Sequence, residues 1–196
     1  MNIVELEFTP LNVALREPFG IATGAQTVAA NVLVELRLSS GVSGIGEAAP
    51  FPAVNGETQA AVLARAEEAR RALVGLDARR YRHVAHAARD ALSDVPSARA
   101  AIEMALLDAL CRSQRSSLWS FFGGAQRELV SDITIPTGDA AHARQSATSA
   151  RDAGFTQLKV KVGGAPLDVD LQRLGAIHDA APNADLISGR QRQPER

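Results

Sequence analysis

Two lysines stand two residues apart, at positions 159 and 161. They are the only lysines among the 21 basic residues of the chain, the others being arginines. This difference matters because a guanidinium stays charged, whereas a desolvated ammonium can lose its proton near neutral pH. Two ammonium groups a few ångströms apart also repel, which lowers the pKa of at least one of them. The spacing of Lys159 and Lys161 therefore predicts a neutral lysine base.

The element that carries both lysines is predicted to be a strand, Phe155–Val162. Side chains alternate along a strand, so the two lysines share one face and the apolar residues between them occupy the other. Further strands are predicted at Asp132–Ile135 and from Ala184, with helices at Asp139–Ala153 and Pro166–Ala181 between them. Such βαβ units demand a parallel sheet and begin a barrel or a doubly wound sheet, and in a barrel the lysine face is the interior. The alternative is an edge strand with two exposed lysines.

The first 124 residues predict an α+β domain. Period-two alternation predicts a three-stranded antiparallel meander, and a helical period then predicts three helices that cover it, the third of them central and buried. The strands are predicted over residues 3–15, 27–38 and 42–48, and the helices over residues 60–73, 81–92 and from Pro96.

Two loops of this domain each carry a phenylalanine where the lid of a pocket would lie. The first loop, Pro18–Gly24, joins the first two strands, and the second, Pro50–Gly56, follows the third strand. Phe19 and Phe51 are therefore candidate pocket residues. The alternative is that each ring only anchors its loop.

The composition excludes several classes of function. A net charge of −1 with 46% hydrophobic residues offers no basic surface for nucleic acid or an anionic membrane. No apolar run has the length of a membrane helix and no signal peptide is recognisable, so we predict a cytoplasmic protein. Cys111, the only cysteine, has no partner for an internal disulfide and is predicted to be buried. His83 and His86 lack a nearby third ligand, which favours an exposed helix face over a metal site.

Five stretches of the chain carry a family pattern. They are Pro18-Phe19, Gly44–Pro50, Ser97–Asp108, Phe122-Gly123-Gly124 and Gly154–Gly163. Over about residues 1–187 the chain resembles the enolase superfamily, and within it the muconate-lactonizing subgroup with its dipeptide epimerases.

The resemblance implies a fold and a set of site residues. It implies an N-terminal capping domain followed by the first βα units of an incomplete (β/α)7β barrel. In the family a Mg²⁺ holds the enolate that forms when a lysine removes the proton beside a carboxylate. By position, Lys161 resembles the base and Lys159 the partner that tunes it. The substrate-binding residues that the resemblance implies are Thr134 on the first barrel strand, Phe19 and Thr23 in the first loop, and Phe51 in the second.

The chain departs from the family pattern in two places. Gly24 stands where some Ala-Glu epimerases carry an arginine, which leaves the preferred dipeptide open because a side-chain carboxylate would lose its bidentate partner. The third barrel strand also lacks the expected Asp, and the family's other Mg²⁺ ligands and its second lysine come from later strands, so we expect no metal ligands in this chain. Asp168 and Asp170 remain, but their place early in a helix is typical of acids that the helix dipole favours.

The last residues suggest a shifted reading frame. If Gly189–Gln193 are encoded as GGA CGG CAA CGG CAA, a reading that starts one base later gives Asp-Gly-Asn-Gly-Asn, which matches the missing ligand motif. We therefore expect a frameshift near Ser188. The predicted domains are a capping domain over 1–124, the truncated start of the barrel over 125–187 and an aberrant tail over 188–196.

The expected function is that of a Mg²⁺-dependent dipeptide epimerase, with this chain inactive on its own. Within the same subgroup, a cycloisomerase or an o-succinylbenzoate synthase is the alternative. A further alternative is a non-catalytic fragment that acts only by association. Unpaired barrel strands predict self-association through the open edge, and neither nucleic acid nor a membrane is an expected partner.

Overall fold

The computed structural model describes residues 1–21, 24–125 and 128–190. The chain divides into two compact units: unit 1 comprises residues 1–16 and 27–125, and unit 2 comprises residues 17–26 and 126–196. In chain order the elements are β1 Ile3–Ile21, β2 Gly24–Leu38, β3 Ser43–Ala48, α1 Pro52–Asn55, α2 Gln59–Ala64, α3 Ala66–Leu73, α4 Tyr81–Ala91, α5 Pro96–Ser113, α6 Leu118–Phe121, β4 Ile133–Ile135, α7 Ala140–Asp152, β5 Gln157–Val162, α8 Leu167–Ala180 and β6 Asp185–Arg190.

The sheet of unit 1 has the order β1-β2-β3, and the predicted meander is confirmed. Strands β2 and β3 pair antiparallel, with Val34 opposite Gly46, and a tight turn at Gly41 joins them. The loop predicted over Pro18–Gly24 is wrong in its extent, because β1 continues to Ile21 and β2 begins at Gly24. Strand structure therefore extends into the predicted loop from both sides.

Helix α5 lies directly on β3 because that strand presents glycines to it. Gly44 and Gly46 are buried and alternate with exposed Ile45. A Cβ at Gly46 would stand 2.0 Å from the backbone oxygen of Ala101, and one at Gly44 would stand 2.2 Å from that of Ala105. No side chain fits into such a gap. The close approach places α5 at the centre of the unit 1 core, which confirms the prediction of a buried third helix.

Two local predictions in unit 1 are corrected. The loop after β3 contains the single helical turn α1. The ring of Pro52 fixes a helical φ at its first residue, and Gly56 ends the turn in a left-handed conformation with a φ of 76°. The helix predicted over residues 60–73 is two helices, α2 and α3. They meet at Arg65, where φ is −93° and ψ is 0° and the guanidinium bonds to Asp94.

Unit 2 contains the predicted βαβ units. Its sheet has the order β4-β5-β6, and both pairs are parallel. Leu158 and Val160 of β5 are fully buried against α7 and α8, as their alternation with the lysines predicts. Strand β6 continues to Arg190 and so extends past residue 187, where the aberrant tail was predicted to follow; residues 191–196 lie outside the described part of the chain.

The described residues also settle smaller expectations. Cys111 is buried, and His83 and His86 lie on an exposed helix face, all three as predicted. Asp139 caps α7 by accepting a hydrogen bond from the backbone N–H of His142 at 2.8 Å. In the described part of the chain, no helix combines the length and the apolar character that crossing a membrane requires.

Candidate functional site

The lysine pair lies on the face of β5 that does not pack against the helices. Thr134 of β4 and Ile187 of β6 are the register partners of Lys159, and Gly189 is the partner of Lys161. Register partners in a sheet share a face, so Thr134 lies beside the lysines. Lys159 is exposed, whereas Lys161 and Thr134 are half-buried. The structure thus brings together three of the six predicted site residues on one sheet.

Lys161 lies in an environment that disfavours its charged form. Its pKa is lowered from the ordinary lysine value, first by desolvation and second by the positive charge of Lys159. Both effects disfavour the ammonium form. The Nζ atom of Lys161 lies 4.4 Å from the centroid of the Phe19 ring. Phe19 belongs to unit 2 through the segment 17–26, so this predicted pocket residue reaches the candidate base.

The second predicted loop residue, Phe51, lies in unit 1, in a loop that side-chain hydrogen bonds connect to helix α5. The N–H groups of Phe51 and of Glu57 both donate to the Asn55 side-chain oxygen, at 3.2 and 3.0 Å. The buried Glu57 carboxylate accepts from the backbone N–H of Ser97 at 3.1 Å and from the Ser97 hydroxyl at 2.5 Å. Glu57 therefore caps α5, whose own N-cap residue makes no side-chain bond, and fixes the loop to that helix. Thr23, the sixth predicted site residue, lies outside the described residues.

Two residues of α8 reach the strand ends, and the sequence had not singled out their role. Asp170 and Arg173 are both buried and form an ion pair at 3.1 Å. Arg173 also donates to the backbone oxygen of Lys161 at 3.0 Å and to that of Pro136 at 3.2 Å. Asp170 accepts from the backbone N–H of Gly163 at 2.7 Å. The expectation that Asp170 serves only as an acid favoured by the helix dipole is therefore incomplete. The spacing of three residues between Asp170 and Arg173 is the sequence signal that could have predicted their ion pair.

A magnesium site needs several oxygen ligands close together. Mg²⁺ prefers an octahedron of oxygens that includes one or two carboxylates. Within residues 1–21, 24–125 and 128–190, no group of three or more His, Cys, Asp or Glu side chains could hold a metal ion. The lysine face carries cations, which oppose a further positive charge.

Family comparison agrees with the fold. The family described as the mandelate racemase / muconate lactonizing enzyme, N-terminal domain, matches residues 3–123. The chain belongs to this family, and with it to the enolase superfamily.

Its relatives include proteins named for dipeptide epimerisation. An aromatic dipeptide epimerase from Herpetosiphon aurantiacus is 48% identical over 177 residues, which are 90% of this chain and 50% of that protein. The solved mandelate racemase/muconate lactonizing protein from the same organism has a TM-score of 0.91 at 46% identity, covering 95% of this chain and 52% of that one. A dipeptide epimerase from Enterococcus faecalis, complexed with Mg and the dipeptide L-Leu-L-Tyr, has a TM-score of 0.89 at 28% identity, covering 96% and 53%. The chain therefore spans about half the length of these relatives.

Proposed function

We propose that this chain supplies the proton-abstracting part of a dipeptide epimerase, with Lys161 as the base. The observation that carries the proposal is the half-buried Lys161, whose pKa is lowered by desolvation and by Lys159 on the same sheet face. A base needs a free electron pair at the pH of the reaction, and both effects increase the neutral fraction of Lys161. The epimerase relatives support the proposal because they share this part of the fold.

The proton transfer follows from the chemistry of the neutral amine. The Lys161 nitrogen takes the proton from the carbon beside the dipeptide carboxylate: a C–H bond breaks, an N–H bond forms and the electron pair stays with the substrate. Lys159 then favours return of the proton, since it repels the new ammonium. Phe19 lies over the Lys161 Nζ and attracts that ammonium through its ring face.

Inversion of the carbon needs a second proton donor on the opposite face of the substrate. The chain contains no third lysine, and Thr134 is too weak an acid for this role. The described residues also lack a metal-binding cluster that could stabilise the developing charge. We therefore propose that residues 1–196 alone do not turn over a dipeptide and that they act when joined to the remainder of the barrel.

The proposed substrates are dipeptides with an apolar or aromatic C-terminal residue. The aromatic dipeptide epimerase of Herpetosiphon aurantiacus is 48% identical to this chain. Gly24 offers no guanidinium to a substrate side-chain carboxylate, which disfavours a C-terminal glutamate. Thr134 and Phe19 supply one polar and one apolar contact near the base.

A chimera tests the function. Residues 1–187 of this chain are joined to the C-terminal part of the Herpetosiphon aurantiacus relative, which follows the region that matches this chain. Proton exchange at the substrate carbon of L-Ala-L-Phe is followed by NMR in D₂O. We expect exchange and epimerisation by the chimera, slower reaction with L-Ala-L-Glu, and no exchange with the 196-residue chain alone.

Single variants connect the activity to the base. Lys161→Ala in the chimera is expected to lower the exchange rate by about 10²–10⁴-fold, the usual contribution of a general base. Arg144→Lys on α7, whose ion pair with Asp179 is exposed, serves as the control and should retain the rate. Full exchange by Lys161→Ala would overturn the proposal. Turnover of a muconate substrate without dipeptide exchange would instead support the cycloisomerase alternative.

A further inference from the structure

The buried ion pair of α8 is a feature for which the proposed function gives no reason. The side chains of Asp170 and Arg173 are 7% and 4% exposed. Burying two charges costs free energy that their attraction only partly returns, so apolar residues would stabilise the unit equally well. The Nε atom of Arg173 adds to the cost, because it is buried without a hydrogen-bond partner among the described residues. The pair must therefore contribute something other than stability.

The partners of the pair show what it contributes. One terminal nitrogen of Arg173 donates to the Lys161 backbone oxygen and the other to the Pro136 backbone oxygen. One carboxylate oxygen of Asp170 accepts a hydrogen bond from the guanidinium, and the other accepts from the backbone N–H of Gly163. These backbone groups lie at the C-terminal ends of β4 and β5. The planar guanidinium thus ties the two strand ends together at the residue that carries the candidate base.

We propose that Arg173, held in place by Asp170, is the positioning residue for Lys161: its fork fixes the backbone from which the lysine side chain extends. This inference rests on the proposed function of Lys161 as the base. Two charge-assisted hydrogen bonds from one planar guanidinium limit the relative movement of the two carbonyl groups more strictly than a single bond does. A fixed backbone keeps the Lys161 ammonium in its partly desolvated place beside Lys159 and beneath Phe19.

The titration of Lys161 measures this positioning directly. Only two lysines are present, so ¹³C labelling at lysine Cε gives two side-chain signals in the 196-residue chain. The variants Lys159→Arg and Lys161→Arg assign them. In the parent chain we expect the Lys161 signal to titrate below the ordinary lysine pKa, as desolvation and Lys159 require.

The informative variant is Arg173→Lys, which keeps the positive charge but cannot form the fork; it adds a third lysine signal, which is recognised by its absence from the parent spectrum. We expect the pKa of Lys161 to rise towards the ordinary value, because a loosened strand end lets the ammonium become hydrated. We also expect faster hydrogen exchange at the Gly163 amide, since the carboxylate that accepts from it is no longer held. Arg144→Lys is the matched control, because it also adds one lysine signal and its exposed pair with Asp179 touches no strand end; it should change neither the pKa of Lys161 nor the exchange rate of the Gly163 amide.

The outcomes separate the two proposals. A parent chain in which Lys161 titrates as an ordinary lysine would overturn the proposed function, and the positioning role with it. A lowered pKa in the parent that Arg173→Lys leaves unchanged would overturn the positioning role alone. If Arg173→Lys unfolds unit 2, the double variant D170L/R173M replaces the pair by apolar side chains, and the same rise in the pKa of Lys161 is expected.

Discussion

At the scale of the residue, the main feature is the pair of lysines that lie two residues apart on β5. Lys159 and Lys161 lie on the same face of β5, and the pKa of Lys161 is lowered first by desolvation and second by the charge of Lys159. Burial alone lowers a lysine pKa, and a like charge within a few ångströms lowers it further. An arginine at position 159 would keep the repulsion, whereas an arginine at 161 could not release its proton.

Replacement of Lys159 gives a pH-dependence prediction. In Lys159→Gln the pKa of Lys161 is expected to rise, because one of the two causes that lower it is removed. Since only the neutral amine is a base, activity of the chimera rises with pH as Lys161 loses its proton, and this rise should move to higher pH. The pH profile and the ¹³Cε titration of Lys161 both measure the change.

A charge change elsewhere in unit 2 provides the control for this variant. Arg144→Gln also removes one positive charge, from the exposed face of α7. Exposed charges at a distance are screened by salt, so the pKa of Lys161 should remain that of the parent chain. An identical titration of Lys161 in Lys159→Gln and in the parent would show that the two lysines are not electrostatically coupled.

At the scale of the element, the packing of α5 on β3 determines the architecture of unit 1. The inward glycines Gly44 and Gly46 let the helix backbone contact the strand backbone. The same helix receives its N-terminal cap from Glu57, 40 residues earlier in sequence than Ser97. Helix α5 therefore supports both the sheet and the loop that holds Phe51.

The glycine contact predicts a large effect from one added methyl group. Gly46→Ala would place its Cβ 2.0 Å from the Ala101 oxygen, so helix and strand must separate. Overpacking of this kind typically costs about 1–3 kcal/mol of the free energy of unfolding. Urea unfolding followed by the fluorescence of Trp119, the only tryptophan and a residue of unit 1, measures the loss.

A substitution on the same strand tests whether the effect is steric. Ser43→Ala adds no atom to β3 and is expected to change the free energy of unfolding by less than about 0.5 kcal/mol. A Gly46→Ala variant as stable as Ser43→Ala would mean that α5 can move away from β3 without loss of packing.

At the scale of the whole chain, unit 2 exposes apolar surface on its sheet edge and helix. Leu186 and Ile187 of β6 are 38% and 42% exposed, and Leu167 and Leu171 of α8 are 74% and 58% exposed. Strand β6 is an edge of the described three-stranded sheet. Open edges and apolar patches of this kind favour association with another chain.

The exposed surface predicts self-association of the 196-residue chain. Sedimentation velocity over a range of concentrations is expected to show oligomers, and Leu171→Glu should shift them towards monomer because a charge must then be buried at the contact. Leu129→Glu is the control, since Leu129 is 82% exposed and lies outside the helices and strands. A chain that stays monomeric at all concentrations would contradict the prediction.

Local sequence patterns were sufficient to predict much of the fold and part of the candidate site. Period-two alternation placed Lys159 and Lys161 on one face and Leu158 and Val160 on the other, and the structure agrees. Alternation depends only on the pleat of a strand, so it needs no knowledge of neighbours. The cap of α7 is equally local, because the bond from the His142 N–H to Asp139 closes within one turn.

Contacts between elements required the tertiary structure. Arg173 bonds to the backbone of Pro136, 37 residues away in sequence, and Phe19 lies over Lys161 across an even longer separation. A carbonyl oxygen exists at every residue, so no residue type marks which one a guanidinium will meet. The sequence alone determined that two lysines share one face of β5, because alternation along a strand is local; the packing of α8 decided that Arg173 meets the backbone oxygens of Lys161 and Pro136 at the strand ends.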